Sequence, residues 1–441
     1  MQRYEKYKDS GVDWIGVIPE HWEIRRIKTL FKEINERSFD GLEDLLSVSQ
    51  YTGVTKKSDK IEEGDLLTNA STLEGYKLVK KGDLVSNIML AWNGSLGFSP
   101  FDGITSPAYS IYRLKNFGEK QFFHYLFRTE KYKAEFKRQS SGVIESRLRL
   151  YSDDFFGIFS ILPPPDEQQA IATFLDDKTA KIDQTIANKQ KEINLLKERR
   201  QILIQKAVTK GLDDTVKLKD SGVDWIGEIP EHWEVRKLKY FIQNLEGGVS
   251  VNASESESAE AEDLGVLKTS CVYNYYFDAK ENKKVFDNEK GRVSCQVRKG
   301  AIIISRMNAP ELVGASGLVL EEHPNLFLPD RLWQTVYRNN ISFDPVWLSK
   351  IIITKGFRNY MTTFANGSSP SMKNISKGDF LNIAVPFSPK EEQIQIVSYL
   401  EEIEEKIAKA ILLKQQEIEK LKEYKTVLID NVVTGKVRVQ S

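Results

Sequence analysis

The sequence predicts an α+β protein in which two globular domains alternate with two long helices that pair as a coiled coil. Three observations carry this. The chain is written twice at a period above 200 residues, each copy ends in a heptad-spaced stretch, and the material between mixes α and β patterns. At 441 residues the chain is long enough for two to three domains with substantial cores. It is 40% apolar and 29% charged, which excludes collagen-like and wholly disordered classes.

The repeat comes first. Residues 8–28 read KDSGVDWIGVIPEHWEIRRIK and residues 219–239 read KDSGVDWIGEIPEHWEVRKLK, identical at 17 of 21 positions at an offset of 211. A second pair follows: Phe155 to Val208 aligns with Phe380 to Val433 at an offset of 225. The extra 14 residues of the second half fall largely in the small, acidic stretch Asn252 to Asp263, which reads as a mobile loop. Solenoid periods are roughly 20–50 residues, so a period this long means a duplicated domain pair. Trp14, Trp22, Trp225 and Trp233 carry too much apolar area to stay exposed, so each repeated segment reads as a packing clasp. Whether Ile18 to Glu23 starts a strand or a helical turn stays open; His21 and His232 read as structural hydrogen-bonding residues.

The helices come next. Leu175, Ile182, Lys189, Leu196 and Leu203 fall every seven residues, with Thr179, Ile186, Ile193 and Arg200 on the companion positions. The second seam has Leu400, Ile407, Lys414, Leu421 and Leu428, with Glu404, Ile411, Ile418 and Lys425. Both seams are interrupted by a lysine at the same heptad, the kind of polar position that costs stability and fixes register. Proline followed by acids, Pro165-Asp166-Glu167 and Pro389 before Glu391-Glu392, opens each helix, and Gly211 and Gly435 lie past the ends. At about 1.5 Å per residue, Asp166 to Val208 spans about 65 Å. The chain therefore divides into domains at 1–162 and 213–387 and helical segments at 163–212 and 388–441. Within the domains, short β-rich runs such as Ile302 to Ile304 and Gly317 to Leu320 accompany helical stretches such as Glu119 to Lys137.

Function classes narrow by exclusion. No apolar run reaches the roughly 18 residues of a membrane span, and the first residues lack the apolar core of a secretory signal. Two cysteines, Cys271 and Cys295, exclude a disulfide framework and a four-cysteine zinc site, and fit a reducing cytoplasm. No GxxxxGK[ST], HExxH or N/D-P-P-F/Y signature occurs, and the four histidines are scattered, so no cofactor or metal is expected. Asp166, Asp176, Asp177 and Lys178 loosely match a metal-nuclease pattern. They lie along one helix, about 15 Å apart between first and last groups, whereas that chemistry needs carboxylates converging on a metal.

Charge is balanced, 63 basic against 63 acidic residues, so any nucleic-acid argument is local. Residues 113–149 hold ten Lys/Arg against four Asp/Glu, and residues 331–377 hold seven against one, each a net +6 at matching places in the two halves. Lys and Arg neutralise phosphates, while Ser, Thr, Asn, Gln and Arg bond base edges. On that chemistry the candidate DNA contacts are Ser49, Gln50, Asn87, Asn93, Arg147 and Arg149 in the first domain. In the second they are Lys268, Thr269, Ser270, Arg306, Asn308, Ser369 and Lys373.

The doubled DSGVDWIG-x-IPEHWE segment, the proline–acid–Glu-Gln start of each long helix, and the domain–helix–domain–helix order together resemble the specificity subunit of Type I restriction–modification enzymes. The resemblance covers nearly the whole chain. It implies two target recognition domains, each reading half of a bipartite sequence in double-stranded DNA, and helices packed antiparallel as a spacer with pseudo-twofold symmetry. It also implies two modification subunits that methylate adenine N6, and restriction subunits that use ATP to cut unmethylated DNA, so the chemistry belongs to partners. Two other readings stand against it: a coiled-coil tether with no DNA contact, and a self-sufficient nuclease or methylase.

Overall fold

The protein's structure, a computed structural model, describes residues 2–50, 53–60, 72–115, 118–144, 147–369 and 372–439. The chain separates into two compact units, Met1–Lys189 with Gln415–Ser441, and Gln190–Lys414. Each unit holds one globular domain together with a part of both long helices, Pro165–Lys210 and Lys390–Val433.

In the first unit a four-stranded antiparallel sheet runs in the order Phe31–Ile34, Tyr109–Leu114, Leu84–Asn87, Leu96–Phe98. Two helices, Lys120–Leu126 and Glu130–Gln139, bury Phe122, Phe123, Leu126, Tyr132 and Phe136 in one core with Phe31, Leu84 and Tyr112 of the sheet. The sequence suggests one helix over 119–137. The break arises because the Thr129 side chain accepts a hydrogen bond from the Tyr132 amide and starts a new helix. The second unit repeats the topology. Its strands run Ile242–Gly247, Leu332–Tyr337, Ile302–Ser305, Ser316–Leu318, with helices Pro345–Ile352 and Lys355–Thr362 after them.

The repeated segment is a clasp. After the strand Val17–Pro19 the chain turns, and Trp22 is fully buried. Its indole Nε1 donates to Glu167 at 2.7 Å, and His21 Nε2 meets the other oxygen of that carboxylate at 2.6 Å. Trp233 and His232 hold Glu392 in the same way, at 2.9 and 2.6 Å. The neighbouring glutamine completes each joint. Gln168 Oε1 accepts from the Glu119 amide, Gln393 Oε1 accepts from the Asp344 amide, and both side chains donate back to the carbonyl before their own helix. Each Glu-Gln pair therefore docks the start of a long helix onto its domain. The same tryptophans receive the far ends: Gly435 lies against Trp22 and Pro19, and Gly211 against Trp233 and Pro230. In the first unit the Gln2–Arg438 bridge also pairs the two ends of the described chain.

Within each unit the long helices run antiparallel. In the first, Lys189 pairs with Glu417 at 2.5 Å and Asp183 with Lys425 at 2.7 Å, and Leu175, Ile182 and Leu428 are buried beside them. In the second, Lys414 pairs with Glu192, and Ile193, Leu400 and Ile407 are buried. Ile418 is buried too, while Ile186, Leu196, Leu203, Ile411 and Leu421 are half-buried. Each fully buried Leu or Ile contributes about 1.5–3 kcal/mol as an upper bound. The two interrupting lysines cost little because each meets a glutamate across the seam.

The acidic stretch differs from its reading as a mobile loop. Ala253 bridges Val285, the Ser254 amide donates to the Lys284 carbonyl at 2.8 Å, and the Ala259 amide donates to Asn282 Oδ1 at 2.8 Å. Backbone and side-chain bonds hold it along the strand Asn282–Lys284. Cys271 is buried, its thiol pushed up by that burial, and Cys295 is half-buried; both are free.

Candidate nucleic-acid interface

In each domain a turn that follows a central strand is tied to a loop that follows the second helix. In the first domain the strand Leu84–Asn87 runs into a turn over 88–95, and residues 140–144 and 147–149 return beside it. Ser141 and Arg149 exchange both backbone hydrogen bonds at 2.9 Å, and the Leu150 amide donates to the Ile88 carbonyl at 2.8 Å. In the second, the short strand Met307–Asn308 pairs with Met372–Asn374, and the Ile375 amide donates to the Arg306 carbonyl at 3.1 Å. Leu150 and Ile375 stand at the 225-residue offset of the repeat, so the two ties are the same feature twice.

The first ridge brings Arg147 and Arg149, both exposed, to the rim of a cavity of about 750 Å³. Met89, Val143, Ile144 and Tyr151 line it with them. Asn87 and Asn93 belong to the same turn, but their amide oxygens are engaged there. Asn87 Oδ1 accepts from the Met89 amide, and Asn93 Oδ1 accepts from the Ser95 amide and hydroxyl. Both asparagines shape the turn that carries Met89 and Leu90 outward. Ser49 and Gln50 sit apart, at the end of the strand Leu46–Ser49, where the Gln50 carbonyl accepts from the half-buried guanidinium of Arg128.

The second ridge gathers more of its candidates. Asn308 Nδ2 donates to the Tyr273 hydroxyl at 2.7 Å, which meets Thr269 Oγ1 at 2.8 Å, and Asn308 lies opposite Lys373 in the strand pair. The Arg306 guanidinium stacks over Trp333, 5.8 Å from the ring centre. Ser270 and Lys268 flank this group, and each is held by Glu281: the Ser270 hydroxyl donates to its carboxylate, the Lys268 amide to its carbonyl. Ser369 ends the strand Asn366–Ser369, and its side chain lies outside the described residues. Tyr273, the hub of this group, escaped the sequence reading because nothing local marks a tyrosine as a hydrogen-bond junction.

Not all of the two +6 stretches faces outward. Arg113 is engaged by the buried Asp83 at 2.7 Å, Arg138 by Glu135 at 2.7 Å, and Arg358 is buried with its guanidinium on the Glu311 carbonyl. Two carboxylates of the loose nuclease pattern are engaged elsewhere. Asp176 accepts from Gln121 and Tyr125, and Asp177 pairs with Lys181.

Two unlike domains built on one repeated frame, each presenting a tied turn and loop with basic residues, define a duplicated two-domain scaffold. Sequence relatives give that class its name. The chain is 24% identical over 460 residues to the type I restriction enzyme MjaVIII specificity subunit of Methanocaldococcus jannaschii, covering all of this chain and 98% of that one. It is 23% identical to the type I restriction enzyme EcoKI specificity subunit of Escherichia coli, over 88% of this chain and 83% of that one. No family model matches. A solved chain from a study of type I restriction–modification complex assembly shares the fold, with a TM-score of 0.65 at 16% identity, covering 95% of this chain and 99% of that one. These similarities run nearly the whole length of the chain and are to type I restriction enzyme specificity subunits.

Proposed function

We propose that this chain is the DNA-recognition subunit of a Type I restriction–modification complex, with one half-site of a bipartite duplex target read by each domain. The observation that carries the reading is the same tied turn and loop in both domains, with Arg147 and Arg149 on one and Arg306, Asn308 and Lys373 on the other. Guanidinium and ammonium groups hold phosphates, and Arg, Asn and Thr read base edges. In the ridge regions, Asn87, Asn93, Asn308 and Ser270 act as supports, because the three amide oxygens and the Ser270 hydroxyl proton are already committed.

The chain itself supplies no catalytic step in this reading. It positions two modification subunits, for which the repeated frame offers two like surfaces, and through them the restriction subunits. Adenine is flipped and methylated in the partners. The domains correspond to 1–162 and 213–387, and the segments 163–212 and 388–441 set the half-site spacing, all in the cytoplasm where the DNA lies. No helix among the described residues is long and apolar enough to cross a membrane.

A genome-wide map of N6-methyladenine, made with and without this chain in the presence of its modification subunit, tests the proposal. A two-part motif that disappears with the chain is the expected result. An unchanged map, with the partner expressed and bound, would leave the tether reading in its place.

A further inference from the structure

The acidic stretch of the second domain lies on lysines. Between Asn252 and Asp263 there are five carboxylates and no basic residue. Glu255 pairs with Lys283 at 2.5 Å, and Asp263 pairs with Lys284 at 3.0 Å. The Glu255 carboxyl is held below its ordinary range, first by Lys283 and more weakly by Lys268. The backbone follows the same line: the Lys284 amide donates to the Glu257 carbonyl at 3.0 Å, and Asn325 Nδ2 donates to the carbonyls of Glu260 and Asp263. The strand bearing these lysines pairs with Gly265–Leu267, which leads directly into Lys268 and Thr269 of the second ridge. Lys283, through Glu255, thus stands near Lys268 at the start of the second ridge, with Lys284 next to it in the strand. The first half, shorter here by 14 residues, has no comparably acidic run in its sequence.

We infer that Lys283 and Lys284, with Lys268 beside them, form a phosphate-contacting edge of the second recognition domain, and that the acidic strap competes with the DNA backbone for it. The inference rests on the DNA-recognition reading. Exposed ion pairs are weak and are screened by salt, so a polyanion as dense as duplex DNA can displace the strap. Glu255 is 86% exposed in its pair, the side from which displacement starts. The strap therefore suppresses sequence-independent binding, where phosphate contacts are all that DNA offers. Specific binding at the ridge supplies the base contacts that outweigh it.

The test uses the full chain and a random-sequence duplex of about 30 base pairs, with binding followed by fluorescence anisotropy across a potassium chloride series. The strap variant E255Q/E257Q/D263N should bind about 5–30-fold tighter at low salt. Its log–log salt slope should steepen by up to about 2, at about 0.9 for each further phosphate that the freed lysines neutralise. Adding K283Q/K284Q to it should abolish the tighter binding, whereas K283Q/K284Q in the unaltered chain should change little. A control that neutralises three acids elsewhere, E321Q/E401Q/E405Q, should shift affinity by less than about twofold, the generic effect of net charge. If the triple variant does not fold, E255Q alone removes one exposed pair and should give about half the slope change. The inference is overturned if the strap variant coincides with the unaltered chain, if its tighter binding survives loss of the two lysines, or if the control tightens as much. An unaltered chain that binds with a linear salt slope while the strap variant matches it overturns the strap alone. No salt-dependent binding by any version overturns the recognition reading as well.

Discussion

Removing the Glu167 carboxylate should loosen the first unit and spare the second. One oxygen accepts from Trp22 Nε1 at 2.7 Å and from the Tyr4 hydroxyl at 3.2 Å; the other meets His21 Nε2 at 2.6 Å. Trp22 is fully buried, so Glu167→Ala leaves its N–H without a partner, which costs about 1–3 kcal/mol. The exposed histidine contact adds at most about 1 kcal/mol. The expected loss is about 1–4 kcal/mol, roughly 2–16 °C in melting temperature at about 2–4 °C per kcal/mol for a unit of this size. Glu167→Gln keeps an acceptor for the indole and should lose at most about 1 kcal/mol. Glu392→Ala is the mirror experiment on Trp233 and His232. It should cost less by about one hydrogen bond, since Thr215 stands where the repeat would place a counterpart of Tyr4.

Hydrogen exchange resolves the two units separately and so suits a chain that does not unfold as one transition. Glu167→Ala should lower protection in residues 17–26 and at the end of the C-terminal helix, and leave 228–237 unchanged. A loss below about 0.5 kcal/mol, an equal loss of protection in both units, or a glutamine variant as damaged as the alanine one would refute the clasp as the joint between helix and domain.

Four further outcomes follow from the same geometry. Gly435 and Gly211 both have positive φ near 75°, but a Cβ at Gly435 would sit 2.5 Å from Pro19 Cδ, while at Gly211 the nearest atom is Trp233 Cζ2 at 3.4 Å. Gly435→Ala should therefore cost about 2–3 kcal/mol and Gly211→Ala about 1, read from denaturant melts. Inserting seven residues into both long helices should preserve the seam and lengthen each by about 10 Å, moving the spacing of the methylated motif; unchanged spacing would refute the ruler. His124, brought down to about 4 from its ordinary 6.5 by burial first and by Arg128 second, with Asp176 opposing, takes up its proton in the unfolded chain first. The first unit should then lose about 1–3 kcal/mol as pH falls from about 6.5 to about 4, a slope that His124→Gln should flatten in pH-dependent melts. Arg147→Ala with Arg149→Ala should weaken binding to a duplex carrying the first half-site about 10-fold or more and make its salt slope shallower; no change in either would remove the first ridge from the interface.

The frame was legible in the sequence because it obeys short rules. Heptad spacing placed Leu175, Ile182, Leu400 and Leu428 in the seam, and all four are buried. The doubled tryptophans announced a clasp, since two buried indoles need partners at fixed positions. The partners themselves were not legible. That Lys189 meets Glu417 and Lys414 meets Glu192 depends on an antiparallel register, which periodicity alone does not fix. In the ridges, residue type does not separate a base contact from a structural support. Asn, Ser and Thr bond their own backbone as readily as a base, and Asn87 and Asn93 are consumed by the turn they build. The acidic strap misled for the opposite reason: its composition favours disorder, and the lysines that hold it stand some twenty to thirty residues away in the chain.

What the two halves share and what they do not then divides cleanly. They coincide at Trp22 and Trp233, at Glu167 and Glu392, and at Gln168 and Gln393, all of which join helix to domain. They diverge at the ridges, where two exposed arginines beside an apolar cavity stand on one and a Thr269–Tyr273–Asn308 chain next to Lys373 stands on the other. On the proposed reading, unlike ridges call for unlike half-sites, and the repeated joints suit like partners.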